Sequence, residues 1–363
     1  MKFLICGVGS IGERHIRNLI NLGFDDIILF RKRNNPLRTI KNIFPTYSTL
    51  KECLDKKPDI AIICNPTHLH IETALQCAKA NCNIFIEKPL SHNLERCDEL
   101  TITLKKHNKI AMVGYMMRYH PCVLKMQKWI NEGDIGKVVS VRSIWGEYLP
   151  DWHPWEDYRK TYAAVRNMGG GPALTLSHEL DLAIWLFGKV NKVVGMSNYN
   201  SNLEIDTEHA IDILLSFKNG ITGNIHLDYL HKPAKRTTEV VGTEGRIEFD
   251  YYSNRVILYT HNDINGEVYS VDDKFDRNDL FISEIKEFIN IVKSSMKIFL
   301  RTPYELDYAE EKRTMYTEKE LNSFSKAQLV IICKVRMYKR CSGSKKDDLV
   351  VSILFKQKEM SRV

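Results

Sequence analysis

The segment that most restricts the folds open to this chain is a glycine-spaced turn near its start. An apolar run, Phe3–Cys6, is followed directly by the letters GVGSIG and then by a helical pattern of apolar residues. In such a strand–turn–helix unit the first glycine permits a tight turn, the second lets a pyrophosphate approach the backbone, and the third lets the helix pack closely on the strand. The N–H groups at the helix start also attract an anion. We therefore predict a dinucleotide site, the alternative being a glycine-rich turn without a ligand. The predicted contacts are Gly7, Gly9, Ser10, Ile11 and Gly12.

Short apolar runs alternate with stretches of helical spacing over residues 1–120. Nearly continuous apolar strands separated by helices are typical of a parallel sheet that is covered on both faces. The pattern predicts an α/β domain over residues 1–120 with a doubly wound parallel sheet, the Rossmann fold. The predicted strands are Phe3–Cys6, Ile27–Phe30, Ile60–Cys64, Ile84–Ile86 and Ile110–Val113.

A different pattern begins at about residue 137, where strands follow one another with few helices between them. Turn sequences at residues 218–220 and 242–245 separate consecutive strands and favour antiparallel neighbours. We predict a second α/β domain over residues 121–346, with an open, mainly antiparallel sheet, a helix at about 174–187 and a cleft against the first domain. The predicted strands are Val138–Trp145, Val193–Met196, Ile211–Phe217, Ile221–Leu227, Thr238–Val241, Ile247–Tyr251 and Val256–Tyr259.

The net charge of +7 comes from one segment of the chain. Residues 322–346 contain basic side chains and no acidic one, and outside this segment Lys and Arg balance Asp and Glu. A charge run of this kind is usually a solvated face, and a body of balanced charge does not coat nucleic acid. We therefore predict no nucleic-acid partner. The basic residues of the segment are Lys326, Lys334, Arg336, Lys339, Arg340, Lys345 and Lys346.

The rest of the composition excludes several other classes of protein. Hydrophobic residues make up 44% and charged residues 27%, as in a globular protein. No apolar run reaches the roughly 20 residues that span a bilayer, and the apolar stretch at the start is too short for a signal peptide. The 9 cysteines show neither CxxC pairs nor zinc-type spacing, so we expect reduced thiols and no metal. These features predict a cytoplasmic protein without a membrane partner.

The end of the second predicted strand indicates which cofactor is preferred. In dinucleotide-binding domains an acidic residue at this place holds the ribose hydroxyls. Here the strand is followed by Arg31-Lys32-Arg33, and a guanidinium can pair with a 2′-phosphate that a carboxylate would repel. We predict NADP in preference to NAD, with Arg31 and Arg33 as contacts. The alternative is that these are solvated loop charges and that NAD binds.

Three further motifs follow predicted strands, at the edge where an open parallel sheet places its ligand. They are Asn65-Pro66-Thr67 with His70, Glu87-Lys88-Pro89, and Gly114-Tyr115 with Arg118. Together with the glycine turn they resemble the Gfo/Idh/MocA oxidoreductases, named for glucose–fructose oxidoreductase and inositol dehydrogenase. The resemblance extends from residue 1 to about residue 295. It implies cofactor contacts from Asn65, Pro66, Thr67, His70, Glu87 and Lys88.

The resemblance also implies the catalytic residues. It places Lys88 near the nicotinamide and the substrate hydroxyl, with a Lys88–Pro89 bond that is often cis, and it gives His178 a part in proton transfer and Asp181 a place in the site. A lysine enclosed beside a cationic nicotinamide should also have a pKa lowered from about 10.4 toward the roughly 7–8 that is useful in proton transfer. Many members have an aspartate three or four residues before this histidine. Here those positions hold Thr175 and Leu174, so a Lys–Asp–His relay is not expected.

An aromatic segment, residues 148–162, favours a sugar as the substrate. Aromatic rings stack on sugar C–H surfaces, and an arginine can bind a carboxylate or phosphate. Similar segments occur in members from bacterial surface-polysaccharide and sialic-acid-like sugar pathways, so the resemblance implies an acidic or nucleotide-linked sugar. Packing at a domain edge or a subunit interface is the alternative. The predicted substrate residues are Tyr115, Arg118, Trp152, Trp155, Arg159, Asp181 and Arg236, with His120 as a further candidate.

These features predict hydride transfer between a nicotinamide cofactor and a carbon of a sugar or sugar derivative, with Lys88 as general acid/base. One alternative is redox-neutral, NAD-dependent glycoside cleavage, as in some relatives. The other is a nucleotide-binding sensor or scaffold without catalysis. The absence of a carboxylate shortly before His178 favours this alternative. A homodimer or homotetramer is expected. Residues 296–321 resemble an insertion, and residues 347–363 an atypical extension.

Overall fold

The apolar runs of the first domain form a sheet of six parallel strands. Their bounds are β1 Phe3–Cys6, β2 Ile27–Phe30, β3 Thr46–Tyr47, β4 Ile60–Ile63, β5 Asn83–Glu87 and β6 Ala111–Gly114. The strand order is β3-β2-β1-β4-β5-β6, so the direction of winding reverses between β1 and β4. All residues of β1 and β4 are buried, because helices cover both faces of the sheet. The predicted doubly wound parallel sheet is confirmed.

The helices begin and end at residues that favour a helix terminus. The short helix α2 starts with a capping box in which Thr49 and Glu52 each bond the backbone of the other. Helix α5 has Pro121 in its first turn and ends at Gly133, which has a left-handed backbone. The helices are α1 Ser10–Asn21, α2 Leu50–Leu54, α3 His70–Lys79, α4 Cys97–His107, α5 Pro121–Glu132, α6 Pro172–Thr175, α7 His178–Phe187 and α8 Asn278–Lys293.

The second sheet has eight strands in the order β14-β13-β12-β11-β7-β10-β9-β8. Its neighbours are antiparallel except for the parallel pair β7 and β10, so the predicted, mainly antiparallel sheet is confirmed. The helix predicted at 174–187 is broken at Leu176 and Ser177 into α6 and α7. The strands are β7 Val138–Gly146, β8 Val190–Asn198, β9 Ala210–Phe217, β10 Thr222–Asp228, β11 Lys235–Gly242, β12 Gly245–Asp250, β13 Arg255–Thr260 and β14 Asp263–Ser270.

Helix α8 follows the second sheet in sequence and packs on the first. Its Ile285, Phe288 and Ile289 lie in one buried cluster with Phe3 and Phe85. The rings of Phe85 and Phe288 meet edge to face with their centroids 5.7 Å apart. The core of the first domain therefore contains an element from far beyond residue 120, and the division of the chain at that residue stays a prediction.

The computed structural model describes residues 1–32, 37, 38, 40, 44–272 and 274–294. Arg33, the predicted insertion at 296–321, the basic segment 322–346 and the extension 347–363 lie outside these described residues. Within them, no helix combines the length and apolar character needed to cross a membrane. The described cysteines, Cys6, Cys53, Cys64, Cys77, Cys82, Cys97 and Cys122, are all buried and free.

Replacing Phe288 by alanine tests whether α8 is part of the first core. Because this ring is fully buried, we expect Phe288→Ala to lower the free energy of unfolding by about 3–5 kcal/mol. The matched control is Ile102→Ala on α4, whose side chain is 65% exposed and whose loss should change stability by less than about 0.5 kcal/mol. Urea unfolding followed by circular dichroism measures both. Equal effects of the two substitutions would contradict the placement of α8.

Candidate active site

The glycine turn lies where the winding of the first sheet reverses, between β1 and β4. Gly7 has a φ of +91°, and a Cβ placed on it would lie 2.6 Å from the backbone nitrogen of Asn65. At Gly12 a Cβ would lie 2.3 Å from the carbonyl oxygen of Gly7. A side chain at either position would therefore push the turn away from its neighbours.

Gly9 differs, because no described residue has an atom within 4 Å of the place where its Cβ would be. Helix α1 starts directly after Gly9, and no described side chain caps it. The first N–H groups of α1 therefore have no side-chain cap among the described residues, and Gly9 leaves open space beside the helix start. Asn65 Oδ1, on the neighbouring loop, is buried and has no partner among the described residues. Open space, free N–H groups and an unpartnered acceptor fit a bound dinucleotide.

His70 holds two loops of the site together. Its Nε2 lies 2.8 Å from the carbonyl oxygen of Asn65, and its Nδ1 lies 2.9 Å from that of Pro89. Burial lowers the pKa of His70 below its usual range. Both ring nitrogens contact backbone oxygens, and a neutral ring donates to one of them. His70 therefore joins the loop after β4, with Pro66 and Thr67, to the loop after β5.

The two residues before Pro89 point to different parts of the molecule. Glu87 is buried and accepts a hydrogen bond of 2.6 Å from Nε2 of His15, on helix α1. Lys88 donates from Nζ to the carbonyl oxygen of Thr175, at 2.5 Å, in the second domain. The peptide bond between Lys88 and Pro89 is cis, as the family resemblance implied. Glu87 therefore anchors the strand end, and Lys88 crosses to the other domain.

Burial lowers the pKa of Lys88 to about 8. That value includes an opposing effect of the charge of Glu87, which raises the pKa, and a smaller effect of Arg236, which lowers it. An amine with such a pKa exchanges a proton at near-neutral pH, as a general acid or base must.

His178 begins helix α7 and is 3% exposed. Its ring stands edge-on to Tyr115, with centroids 5.6 Å apart, and lies 5.9 Å from the ring of Trp145. Burial and the charge of Lys88 hold the pKa of His178 well below its usual range. The imidazole is therefore neutral at neutral pH, and its Nδ1 has no partner among the described residues.

Arg236 and Glu179 form a buried ion pair next to this ring. Arg236 Nε donates to Glu179 Oε1 at 2.7 Å, and each side chain is 2% exposed. The guanidinium also stacks on Trp145, 3.8 Å from the ring centroid. Each partner keeps one unbonded atom, Nη2 of Arg236 and Oε2 of Glu179, with no hydrogen bond from the described residues. The sequence predicted Arg236, but Glu179 and Trp145 were missed, although Trp145 stands at a predicted strand end.

Thr175 takes part through both its backbone and its side chain. Its carbonyl oxygen accepts from Lys88, and its Oγ1 lies 2.5 Å from the hydroxyl of Tyr229. Tyr229 in turn donates to the carbonyl oxygen of Ala163 at 3.1 Å and packs edge-on against Trp152. At the position where the family resemblance implied a carboxylate, this chain therefore has a neutral hydroxyl bonded to Tyr229 and a carbonyl oxygen that accepts from Lys88.

Asp181 and Arg118 form an ion pair with each other. Two hydrogen bonds of 2.8 and 2.9 Å join the guanidinium to the carboxylate, and Arg118 also stacks on Trp185. The pair joins the turn after β6 to helix α7. Both residues were predicted to contact substrate, and the structure uses their charges to neutralise each other.

Two residues of the aromatic segment and one further candidate have other surroundings. Trp155 is 67% exposed. Arg159 is bound by the carboxylates of Asp157 and Glu204 on the surface, so its charge is already neutralised. His120 caps helix α5 at the backbone nitrogen of Cys122 and is buried, which gives it a structural role.

Comparison with known proteins identifies the family. Residues 1–115 match the model of the oxidoreductase family with an NAD-binding Rossmann fold, and residues 123–248 match the GFO/IDH/MocA C-terminal domain. The chain belongs to the Gfo/Idh/MocA oxidoreductases. This Gfo/Idh/MocA protein is therefore an oxidoreductase with an NAD-binding domain.

Several relatives are named for sugar-type ligands. Myo-inositol 2-dehydrogenase of Thermotoga maritima is 29% identical over 314 residues, which are 81% of this chain and 89% of that protein. The structure of levoglucosan dehydrogenase with NADH and levoglucosan has a TM-score of 0.71 at 19% identity, over 81% of this chain and 90% of its own. WlbA dehydrogenase from Bordetella pertussis, in complex with NADH and UDP-GlcNAcA, gives 0.67 at 18% identity, over 81% and 89%. At these identities the two structures show the shared fold.

A buried carboxyl group, Glu284 on α8, lies beneath the site. It is 0% exposed, and neither carboxyl oxygen has a hydrogen-bond partner among the described residues. Burial, followed by the charges of Glu87 and Asp181, raises the pKa of Glu284 well above its usual range. The folded protein therefore holds this carboxyl in the neutral, protonated form.

Replacing Glu284 by glutamine should change how stability depends on pH. Above the unfolded pKa of about 4.3, folding must add a proton to Glu284, which costs about 1.4 kcal/mol per pH unit up to the folded pKa. The free energy of unfolding of the wild type therefore falls as pH rises over this range. Glu284→Gln lacks the titrating group and avoids this loss. In urea unfolding at about pH 5 and about pH 8, the stability of the variant relative to wild type should rise with pH. The exposed Glu132→Gln is the control, and a pH-independent difference for Glu284→Gln would contradict the neutral state.

Proposed function

We propose that this enzyme moves a hydride between a nicotinamide cofactor and a carbon of a sugar-type alcohol, with Lys88 moving the hydroxyl proton. The observation that carries the proposal is the position of Lys88 Nζ between the two domains, 2.5 Å from the carbonyl oxygen of Thr175. The bound nicotinamide supplies the hydride acceptor or donor. This chain must then bind the alcohol, orient it and take up or release its proton.

Lys88 suits that proton transfer in both directions. With its pKa lowered to about 8, the neutral amine can accept a proton from an alcohol, and the ammonium can return one to a carbonyl. Neutral His178 carries no competing charge and offers a ring nitrogen to the same substrate hydroxyl. The contact with Thr175 orients the amino group without contributing a carboxylate. We therefore assign catalysis to Lys88 with His178 as its assistant, and no relay through a third acid.

Unbonded polar atoms support a ligand rich in hydroxyl groups. His178 Nδ1, Arg236 Nη2 and Glu179 Oε2 are buried and have no partner among the described residues. The charges of Lys88, Arg236 and Glu179 affect one another, so these groups belong to one cluster. Each unpaired buried polar group is costly, and sugar hydroxyls can both donate and accept. The relatives named for inositol, levoglucosan and UDP-GlcNAcA favour the same class of ligand.

NADP is the cofactor that the end of β2 favours. The backbone nitrogen of Gly7 donates to the carbonyl oxygen of Phe30, so Arg31 follows directly beside the glycine turn. Its own backbone nitrogen donates to Tyr47 and fixes the start of this loop. A guanidinium there can pair with a 2′-phosphate. Two related structures contain NADH, so nucleotide-binding measurements must decide between NADP and NAD for this chain.

A redox-neutral reaction is the second candidate. It is favoured by 2,7-anhydro-N-acetylneuraminate hydratase of Mediterraneibacter gnavus, 32% identical over 145 residues that are 39% of this chain and 37% of that protein. In such a reaction substrate conversion leaves the net nicotinamide absorbance unchanged. Measuring both quantities separates it from net hydride transfer. Cofactor binding without conversion of any sugar would instead support a sensor or scaffold.

We also propose a cytoplasmic homodimer or homotetramer. The open face of the second sheet exposes apolar side chains, among them Met196 at 76% and Leu214 at 54%. Burial of such a face between copies is favourable.

Replacing Lys88 by methionine tests the proposed catalysis. With a substrate found by screening polyols, acidic sugars and nucleotide-linked sugars, we expect Lys88→Met to lower kcat/KM roughly 10²- to 10⁴-fold. Steady-state kinetics measures this, and NADPH fluorescence checks that nucleotide affinity changes far less. Lys160→Met is the control, since that side chain is 83% exposed and pairs only with a surface carboxylate among the described residues. Full turnover by Lys88→Met would overturn the assignment.

The wild-type pH profile gives a second readout of Lys88. Alcohol oxidation needs the neutral amine, so its kcat/KM should rise with pH and level off above about 8. Carbonyl reduction needs the ammonium and should fall over the same range. A profile that is flat between about pH 7 and about pH 9 would contradict this role.

Replacing Arg31 by alanine tests the cofactor preference. A hydrogen bond to a charged group contributes roughly 1.5–3 kcal/mol, so the Kd for NADPH should rise about 10- to 100-fold. The Kd for NADH should change little, because NADH has no 2′-phosphate. Fluorescence titration of both nucleotides measures the difference. Wild-type protein that binds NADH more tightly than NADPH would exclude the preference.

A further inference from the structure

A cluster of metal-ligating side chains lies outside the catalytic cleft, at the end of strand β10. Ile225 and Leu227 of this strand are fully buried in the core with helix α7. Successive side chains of a strand point to opposite faces, so His226 points to the open face of the second sheet. Asp228, two residues further on, and His231, in the turn that follows, meet it there.

The three side chains place their donor atoms around one point. Nε2 of His226 lies 3.0 Å from Oδ2 of Asp228, and Nδ1 of His231 lies 2.5 Å from the same oxygen. The three donor atoms all lie within 4.8 Å of one another. Tetrahedral bonds of about 2.0–2.2 Å would hold the donor atoms roughly 3.3–3.6 Å apart, so each histidine nitrogen would move away from Oδ2 by about 1 Å or less to admit a zinc ion.

The carboxylate is fixed before any ligand arrives. Its Oδ1 accepts hydrogen bonds from the backbone nitrogens of Leu230 and His231, at 2.7 and 2.9 Å. Oδ2 is thereby directed at the two imidazoles. The side chain of Asp228 is 3% exposed, whereas those of His226 and His231 are 28% and 34% exposed. The cluster is therefore built on a buried acid, and its two histidines are partly exposed in the single chain.

Strand β7 makes room for the cluster with a glycine. A Cβ on Gly146 would lie 2.1 Å from Nδ1 of His231 and 2.4 Å from Oδ2 of Asp228. The two donor atoms thus occupy the space that a side chain at this position would need. A glycine is required here for the donors to meet.

A second carboxylate orients the first histidine. Asp212, opposite His226 on β9, lies 2.8 Å from Nδ1 of that ring. In this structure both ring nitrogens of His226 face carboxylates, so a metal ion would replace the proton that Nε2 donates to Asp228. Nδ1 would keep its hydrogen bond to Asp212 and hold the ring in place. This arrangement of carboxylate, histidine and metal is common around zinc.

We propose that His226, His231 and Asp228 bind a divalent transition-metal ion, zinc above all, with Asp212 orienting His226. Two imidazoles and one carboxylate suit Zn²⁺ and leave a coordination position for water. The ion would join strand β10 to the turn that follows it. Tyr229, between two of the ligands in sequence, is fully buried and bonds the side chain of Thr175, whose carbonyl oxygen accepts from Lys88. A metal ion here would therefore stabilise the strand end that carries Tyr229, without contacting substrate.

Zinc binding by the tag-free, full-length chain tests the proposal. After treatment with a chelator, the protein is titrated with Zn²⁺ by calorimetry, and bound metal is counted by elemental analysis. We expect one equivalent per chain and a higher Tm in the zinc-bound protein. The His226→Ala/His231→Ala double variant should lose both effects, and Asp212→Asn should weaken binding roughly 10- to 100-fold.

His261→Ala is the matched control, because His261 is an exposed histidine of the same domain outside the cluster. It should bind zinc as the wild type does. Circular dichroism checks that each variant is folded, and the titration of the wild type stands even if a variant is not. No zinc binding by the wild type, or undiminished binding by the folded double variant, would overturn the proposal.

Discussion

The hydrogen bond from Lys88, which follows strand β5, to the carbonyl oxygen of Thr175, at the end of helix α6, joins the first domain to the second. Burial of the amino group at this junction lowers the pKa of Lys88 to about 8. The strand end that carries Lys88 is anchored on one side by Glu87 with His15 and on the other by His70 with Pro89. Proton transfer by this amine depends on all of these contacts, since each fixes where the amino group lies.

Most ionisable groups around Lys88 are either paired with an opposite charge or held in their neutral form. Arg118 is neutralised by Asp181, and Arg236 is partly neutralised by Glu179. Burial leaves His178 neutral, and Glu284 is held protonated. What remains is an amine of intermediate pKa beside a few unbonded polar atoms. Such a site can bind a neutral polyol and exchange one proton with it, which is the chemistry of alcohol–carbonyl interconversion.

Much of the fold was predictable because local patterns determine it. β1 and β2 have the predicted bounds, and the three other predicted strands of the first sheet differ by no more than one residue at either end. Each is an apolar run bounded by turn residues. β14, Asp263–Ser270, was missed because it is a mostly exposed, polar edge strand without apolar alternation. The return of α8 to the first sheet and the parallel pairing of β7 with β10 depend on contacts between distant segments, which no local pattern records.

The site was predictable to a similar extent and for a similar reason. Strand-end motifs placed the glycine turn and Lys88, and the family resemblance placed His178. Arg159 was predicted to bind substrate, but the structure pairs it with Glu204. The sequence could not reveal this pair, because the two residues are far apart along the chain. Glu179 directly follows the predicted His178, yet its role depends on burial beside Arg236. Residue types identify the chemistry available, and tertiary contacts decide which of those residues are already satisfied.

The central claim is that the cofactor and Lys88 lie in the same cleft. A crystal structure of the enzyme with NADP tests this claim most directly. The pyrophosphate should lie over Gly9 at the start of α1, and the nicotinamide ring should lie beside Lys88 Nζ and His178. A pyrophosphate bound elsewhere, or a nicotinamide ring turned away from Lys88, would contradict the assignment of this lysine to proton transfer.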